Sequence, residues 1–130
     1  MKPTYKIAMA MLAGGALGAL VVQGLYAQAK PPVYFVAVID EVTDPAWQAV
    51  AGRPNSEVAG LLKAFGGQQI TRTNEITVLD GTKPNRVIIT RFDSADKAKG
   101  WYSQPDQKKV NDIRMKTTKS RSFLVEGMSE

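Results

Sequence analysis

The stretch Asn85–Ser103, NRVIITRFDSADKAKGWYS, decides the fold. Val87, Ile88, Ile89, Thr90, Arg91 and Phe92 follow one another almost without polar relief. A strand puts successive side chains on opposite faces, so Val87, Ile89 and Arg91 share one face and Ile88, Thr90 and Phe92 the other. A strand with one wet face alternates apolar and polar residues. This one is apolar on both sides over its first half, so each face needs cover. Phe92-Asp93-Ser94-Ala95-Asp96 then closes the strand and opens a helix. Ser94 is the N-cap, and Asp96 suits the positive end of the helix dipole. Ala95, Ala98, Trp101 and Tyr102 fall at helical spacing and form the buried stripe.

The rest of the chain follows the same two periods. Val33–Asp40, VYFVAVID, is a first strand, again apolar on both faces. Asp44-Pro45 starts a helix with Trp47, Val50 and Ala51 inward, and Gly52-Arg53-Pro54 interrupts it. A second segment, capped near Asn55 or Ser56, turns Val58, Leu61, Leu62 and Phe65 inward and ends at Gly66-Gly67. Gln68–Thr73 and Ile76–Asp80 read as a strand or the bent arm of a hairpin. Asp80-Gly81-Thr82-Lys83-Pro84 is a turn cluster. After the organising strand and helix, Pro105 restarts a helix that turns Val110, Ile113 and Met115 inward. Ser120–Glu126, SRSFLVE, is the last strand. Strand, helix, strand, strand, helix, strand is an α+β order. It predicts a ferredoxin-like βαββαβ fold with a four-stranded antiparallel sheet and helices on one face. A second copy, sheet against sheet, is the simplest cover for the open face. The expectation is a homodimer with a large apolar interface, a dimeric α+β barrel.

Composition narrows the chemistry. The chain has 130 residues, no Cys and no His. Disulfides, thiolate chemistry and lipoprotein acylation are excluded, as are Ser-His triads, His-ligated haem and His-based zinc sites. Chemistry falls to Asp, Glu, Lys, Arg, Tyr and the backbone, and neither a metal nor a cofactor is expected.

Residues 1–29 read as a secretory signal peptide, and residues 30–130 as the domain. Lys2 and Lys6 form a positive n-region, Ile7–Val22 is uncharged, and Ala27-Gln28-Ala29 is a small-x-small cleavage site. The rival reading is an uncleaved anchor, since the uncharged stretch Ile7–Ala29 is just long enough to span a membrane. Glycines and glutamines dilute that stretch and favour cleavage, which places the domain in the periplasm or outside the cell and leaves it with no membrane partner. Of the 17 basic residues, Lys2 and Lys6 leave with the leader, so 15 face 12 acidic ones and the mature charge is +3. Eight of those 15 lie in Lys97–Arg121. No nucleic-acid motif accompanies that patch, so it reads as a solvated helix surface and no nucleic-acid partner is expected.

The domain resembles the domain of unknown function (DUF) 1330 family, within the dimeric α+β barrel superfamily. The resemblance rests on the opening strand with Asp44-Pro45, Phe65-Gly66-Gly67, Asp80-Gly81 and Asn85-Arg86-Val87-Ile88-Ile89 with Phe92. It continues in Trp101-Tyr102-Ser103, Arg114 and the closing Leu124-Val125-Glu126-Gly127. These pieces span nearly all of Val33–Gly127. Arg91 stands where the family usually has an acidic residue, and Gln104-Pro105-Asp106-Gln107 replaces its Ser-Pro-Glu-Tyr run.

The resemblance implies a cleft between sheet and helices as the place for a small molecule. Its candidate ligand-binding residues here are Arg86, Arg91, Trp101, Tyr102, Arg114 and Glu126. An arginine can clamp a carboxylate or an enolate oxygen. Tyr102 can serve as a weak acid or hydrogen-bond donor, and Glu126 or Asp80 as a general base if burial raises its pKa. Each also has a structural role to weigh. Trp101 fits a core, Arg114 with Glu126 an ion pair, and Arg86 a strand flank. Arg91 either pairs with a carboxylate at the sheet edge or enters a pocket. Two functions follow: a secreted dimer that binds a small organic anion without turning it over or serves as an accessory or structural module, or a cofactor-independent isomerase, lyase or monooxygenase-like enzyme.

Overall fold

The structure is a computed structural model and describes residues 30–129. The expected leader lies outside the described residues. Strand β1 runs Val33–Val42, β2 Gln68–Thr73, β3 Arg86–Phe92 and β4 Thr118–Glu126. A 3-10 turn at Pro45–Trp47 leads into the short α1, Gln48–Ala51; α2 is Asn55–Lys63, α3 Ala95–Ser103 and α4 Pro105–Thr117. The sheet order is β2-β3-β1-β4, with every neighbouring pair antiparallel. This is the ferredoxin-like arrangement. The two strands that are apolar on both faces, β1 and β3, are the two central ones.

The capping chemistry sets the helix starts. Asp44 Oδ1 accepts from the Ala46 amide at 2.8 Å, and Pro45 fits the first turn, where no amide proton is needed. Ser94 Oγ accepts from the Lys97 amide at 3.2 Å. The second segment begins at Asn55 as expected but has no side-chain cap; Pro54 stands before it in extended backbone.

All the helices cover one face. Phe35, Ala37 and Ile39 of β1 point into it, beside Thr90 and Phe92 of β3. Phe35, Ala37, Leu62, Phe92, Ala98 and Trp101 form one core cluster; Ile39, Trp47 and Val50 form a second. Trp101 meets Phe35 edge-on at 5.1 Å between ring centroids and Phe92 at 5.3 Å. Such pairs add about 1 kcal/mol each beyond the area they bury. The turn after α2 lets the chain pass close beneath this cluster. Gly66 has φ +66°, and a Cβ at Gly67 would lie 2.8 Å from both Leu62 Cδ2 and Phe92 Cε1. Glycine is required at the first by conformation and at the second by space.

The opposite face carries Tyr34, Val36 and Val38 of β1, against Arg91, Ile89 and Val87 of β3 and Val125, Phe123 and Arg121 of β4. No element of the described chain covers it, and Phe123 and Val125 are over 40% exposed. Among the described residues no helix is long and apolar enough to cross a membrane.

Three local expectations change. Ile76–Asp80 is not a strand arm. β2 pairs with β3 only as far as Thr73 opposite Val87, and β3 begins at Arg86, so residues beyond Thr73 have no ladder to join. Met115 is 70% exposed rather than inward. β4 starts at Thr118, because α4 runs directly into it without a loop.

Candidate functional site

The inner face of α4 is polar. Gln107, Asn111 and Arg114 are separated by four and then three residues, so they stack on one side of the helix. That side faces the sheet, and all three are buried. Gln107 Nε2 donates to Asn111 Oδ1 at 2.9 Å, and Asn111 Nδ2 donates to the Tyr102 carbonyl at 3.2 Å. Arg114 donates from Nη1 to Asn111 Oδ1 at 3.5 Å. From Nη2 it donates to Tyr102 Oη at 3.1 Å and Ser122 Oγ at 3.5 Å. Arg114 is 4% exposed, and none of these partners is a carboxylate. Its Nε has no hydrogen-bond partner, and neither does the buried Trp101 Nε1.

Arg114 and Trp101 line a cavity of about 40 Å³ between sheet and helices. That is room for a few waters or for an ion of a handful of heavy atoms. Arg53, Arg72 and Arg86 line it too, and no acidic side chain does. The three arginines gather where α1 ends. Arg72 Nη2 donates to the carbonyls of Ala51 and Arg53, both at 2.8 Å, and of Val50 at 3.3 Å. Arg86 Nη2 reaches the Ala51 carbonyl at 3.4 Å, and Arg53 Nε the Val50 carbonyl at 3.1 Å. Helix ends leave such carbonyls without partners, and guanidinium donors satisfy them. Burial pushes the pKa of all three arginines down, and for Arg72 the neighbouring Arg86 and Arg53 charges push further. All three remain cationic at neutral pH.

A second, wider pocket of about 270 Å³ lies between α3 and β4. Phe35, Ala98, Leu124, Ser122, Lys99 and Tyr102 line it. Phe35 borders both spaces. Arg114 borders the inner one and bonds to Tyr102 and Ser122 of the outer one.

The candidate residues read from sequence therefore separate. Arg86, Trp101 and Arg114 share the inner cavity, and Tyr102 joins them through Arg114. Arg91 lies on the uncovered sheet face, with Nη1 3.4 Å from Asp93 Oδ1, the sheet-edge pairing of its two expected roles. Glu126 and Asp80 are exposed, and Arg114 pairs with Tyr102, Asn111 and Ser122 rather than with Glu126. Sequence reasoning missed Arg53, Arg72, Gln107, Asn111 and Ser122. The spacing of Gln107, Asn111 and Arg114 was available as a signal, but a polar stripe on a helix ordinarily faces water. Nothing local to Arg53 or Arg72 marks their convergence, which the β2–α1 contact creates.

Solved structures similar to this chain share its fold. A protein of unknown function from Rhodopseudomonas palustris is 14% identical, with a TM-score of 0.57, covering 82% of this chain and 94% of its own. SnoaB, a cofactor-independent oxygenase from Streptomyces nogalater, is 16% identical, with a TM-score of 0.52, covering 77% and 96%. A dimeric ferredoxin-like protein of unknown function from Thermobifida fusca is 10% identical, with a TM-score of 0.53, covering 75% and 92%. No curated protein matches. The family model of the domain of unknown function DUF1330 matches residues 32–128, the whole βαββαβ unit with its arginine-lined cavity, and the chain belongs to that family.

Proposed function

We propose that this protein binds a small organic anion in the inner cavity, as an exported homodimer. The observation that carries the reading is Arg114. A charge removed from water without a counter-ion costs several kcal/mol, and neutral acceptors offset only part of that. Arg114 has only neutral acceptors, its Nε–H is left over, and the Nε1–H of Trp101, which lines the same cavity, is equally unpartnered. An anionic oxygen in the cavity would accept from both. It would also face a wall without carboxylates to repel it.

The test compares propionate with its neutral amide at matched ionic strength. Propionate is expected to raise the melting temperature of the wild type in a dose-dependent way, and propionamide is not. Arg114→Gln should weaken propionate binding roughly 10- to 100-fold, the loss of one charged hydrogen bond. Equal effects of acid and amide, or an unchanged affinity in Arg114→Gln, would remove this assignment.

The homodimer reading is supported by the uncovered apolar sheet face, and a protein of similar fold is described as dimeric. Export rests on the layout of residues 1–29. Mass measurement of protein expressed with its own leader tests both: a dimer of chains starting at Lys30 is expected, and an uncleaved or monomeric product contradicts the corresponding part.

Tyr102 favours a second reading, a cofactor-independent enzyme. Its Oη accepts from Arg114, which leaves its own O–H free to donate, and the ring lines the 270 Å³ pocket. A substrate there would meet a phenol oriented by a guanidinium and able to donate its proton in a hydrogen bond. Turnover that is lost in Tyr102→Phe while binding persists would move the assignment to this reading.

A further inference from the structure

Three arginines at the end of α1 exceed what the backbone there needs. Arg72 is committed to the Val50, Ala51 and Arg53 carbonyls and to Asn55 Oδ1. Arg53 and Arg86 each make a single bond to that carbonyl cluster. Arg53 Nη1 and Arg86 Nε are then sealed from solvent with no acceptor at all. Among the described residues the ion pairs are Arg91–Asp93, Lys97–Asp93, Lys119–Glu41 and Arg121–Asp40, so none reaches the trio. Glu57 eases the charge on Arg53 and Arg72 from a distance but bonds to neither. Like charges gathered without a counter-ion repel, and desolvation makes this worse.

We propose that the trio is a second anion locus on the same cavity, so that the ligand is a short dicarboxylate with one carboxylate on Arg114 and the other on Arg53 and Arg86. This inference rests on the anion-binding reading above. Both loci border the same inner cavity. Its volume of about 40 Å³ limits the ligand to a short chain, of the length of malonate. Trp101, Phe35 and Ile88 give the same cavity an apolar wall, which suits a methylene.

Titration calorimetry at neutral pH and constant ionic strength decides it, with malonate and propionate as probes. The wild type is expected to bind malonate about tenfold or more tightly than propionate, the worth of one added charge-assisted contact. In Arg53→Gln and in Arg86→Gln that ratio should fall to about one. Arg72 is left intact, because its carbonyl bonds hold α1. A wild type that binds propionate as well as malonate overturns the dicarboxylate and leaves the anion site standing. A malonate preference that survives both substitutions overturns the role of the trio. A wild type that binds neither acid overturns this inference and the anion reading together. If one variant loses its circular dichroism signal, the other decides the role of the trio, and the wild-type ratio decides the dicarboxylate.

Discussion

The two faces of the sheet are built from the same two strands and end in opposite conditions. On the helix side, Phe35, Ala37 and Ile39 are sealed, and the Arg114 guanidinium is buried beside them with no carboxylate to pair with. On the other side, Val36, Val38, Val87 and Ile89 lie in register with nothing of the described chain over them, and the one guanidinium of β3, Arg91, pairs with Asp93. Charge is enclosed where an apolar core belongs, and apolar surface is open where charge belongs. The proposed anion would answer the first departure, and a second sheet the other. Arg114 and Arg91 make the contrast concrete. One is buried against neutral acceptors, while the other is 39% exposed and has a carboxylate at 3.4 Å.

Substitutions can break this contrast from either side. Phe92 is wholly buried between Trp101 and Leu62, so Phe92→Ala should cost about 3–5 kcal/mol in urea unfolding. A loss under 1 kcal/mol would mean that the helix side is not the core. Ile89→Lys places a charge in the middle of the open face. It should turn the dimer into a monomer in sedimentation, at a cost of roughly 3 kcal/mol to association for an unpaired buried charge, with helix content retained. An unchanged sedimentation coefficient would put the interface elsewhere. Arg91→Ala is the mildest: it removes a partly exposed pair worth less than about 1 kcal/mol, and ligand-induced stabilisation should persist. If the ligand response disappears instead, the site lies on the open face and the contrast fails.

Much of this was readable before the structure. Asp44, Ser94 and the Gly66-Gly67 end mark their elements by chemistry that acts within a few residues. The two-faced strands announced that both faces of the sheet need cover, because a strand with one wet face alternates apolar and polar residues. The failures share a cause. Ile76–Asp80 alternates like a strand, yet a strand exists only where a partner strand extends beside it, and β3 does not reach that far. The inner face of α4 was assigned to Val110, Ile113 and Met115; Val110 and Ile113 do pack against the core, but Gln107, Asn111 and Arg114 turn inward beside them and Met115 is exposed. Periodicity places a stripe on one side of a helix. It does not say which stripe faces the core when the core itself holds polar groups. The departure of α4 from the ordinary rule is also what marks the site, since a folded chain keeps such a cost mainly where function needs it.

The most direct measurement is an anomalous diffraction experiment on crystals soaked in bromoacetate, a monocarboxylate small enough for the inner cavity. A bromine peak is expected inside that cavity, with the carboxylate on Arg114 Nε. Bromine found only on the outer surface, with the wild-type cavity holding ordered water alone, would contradict it.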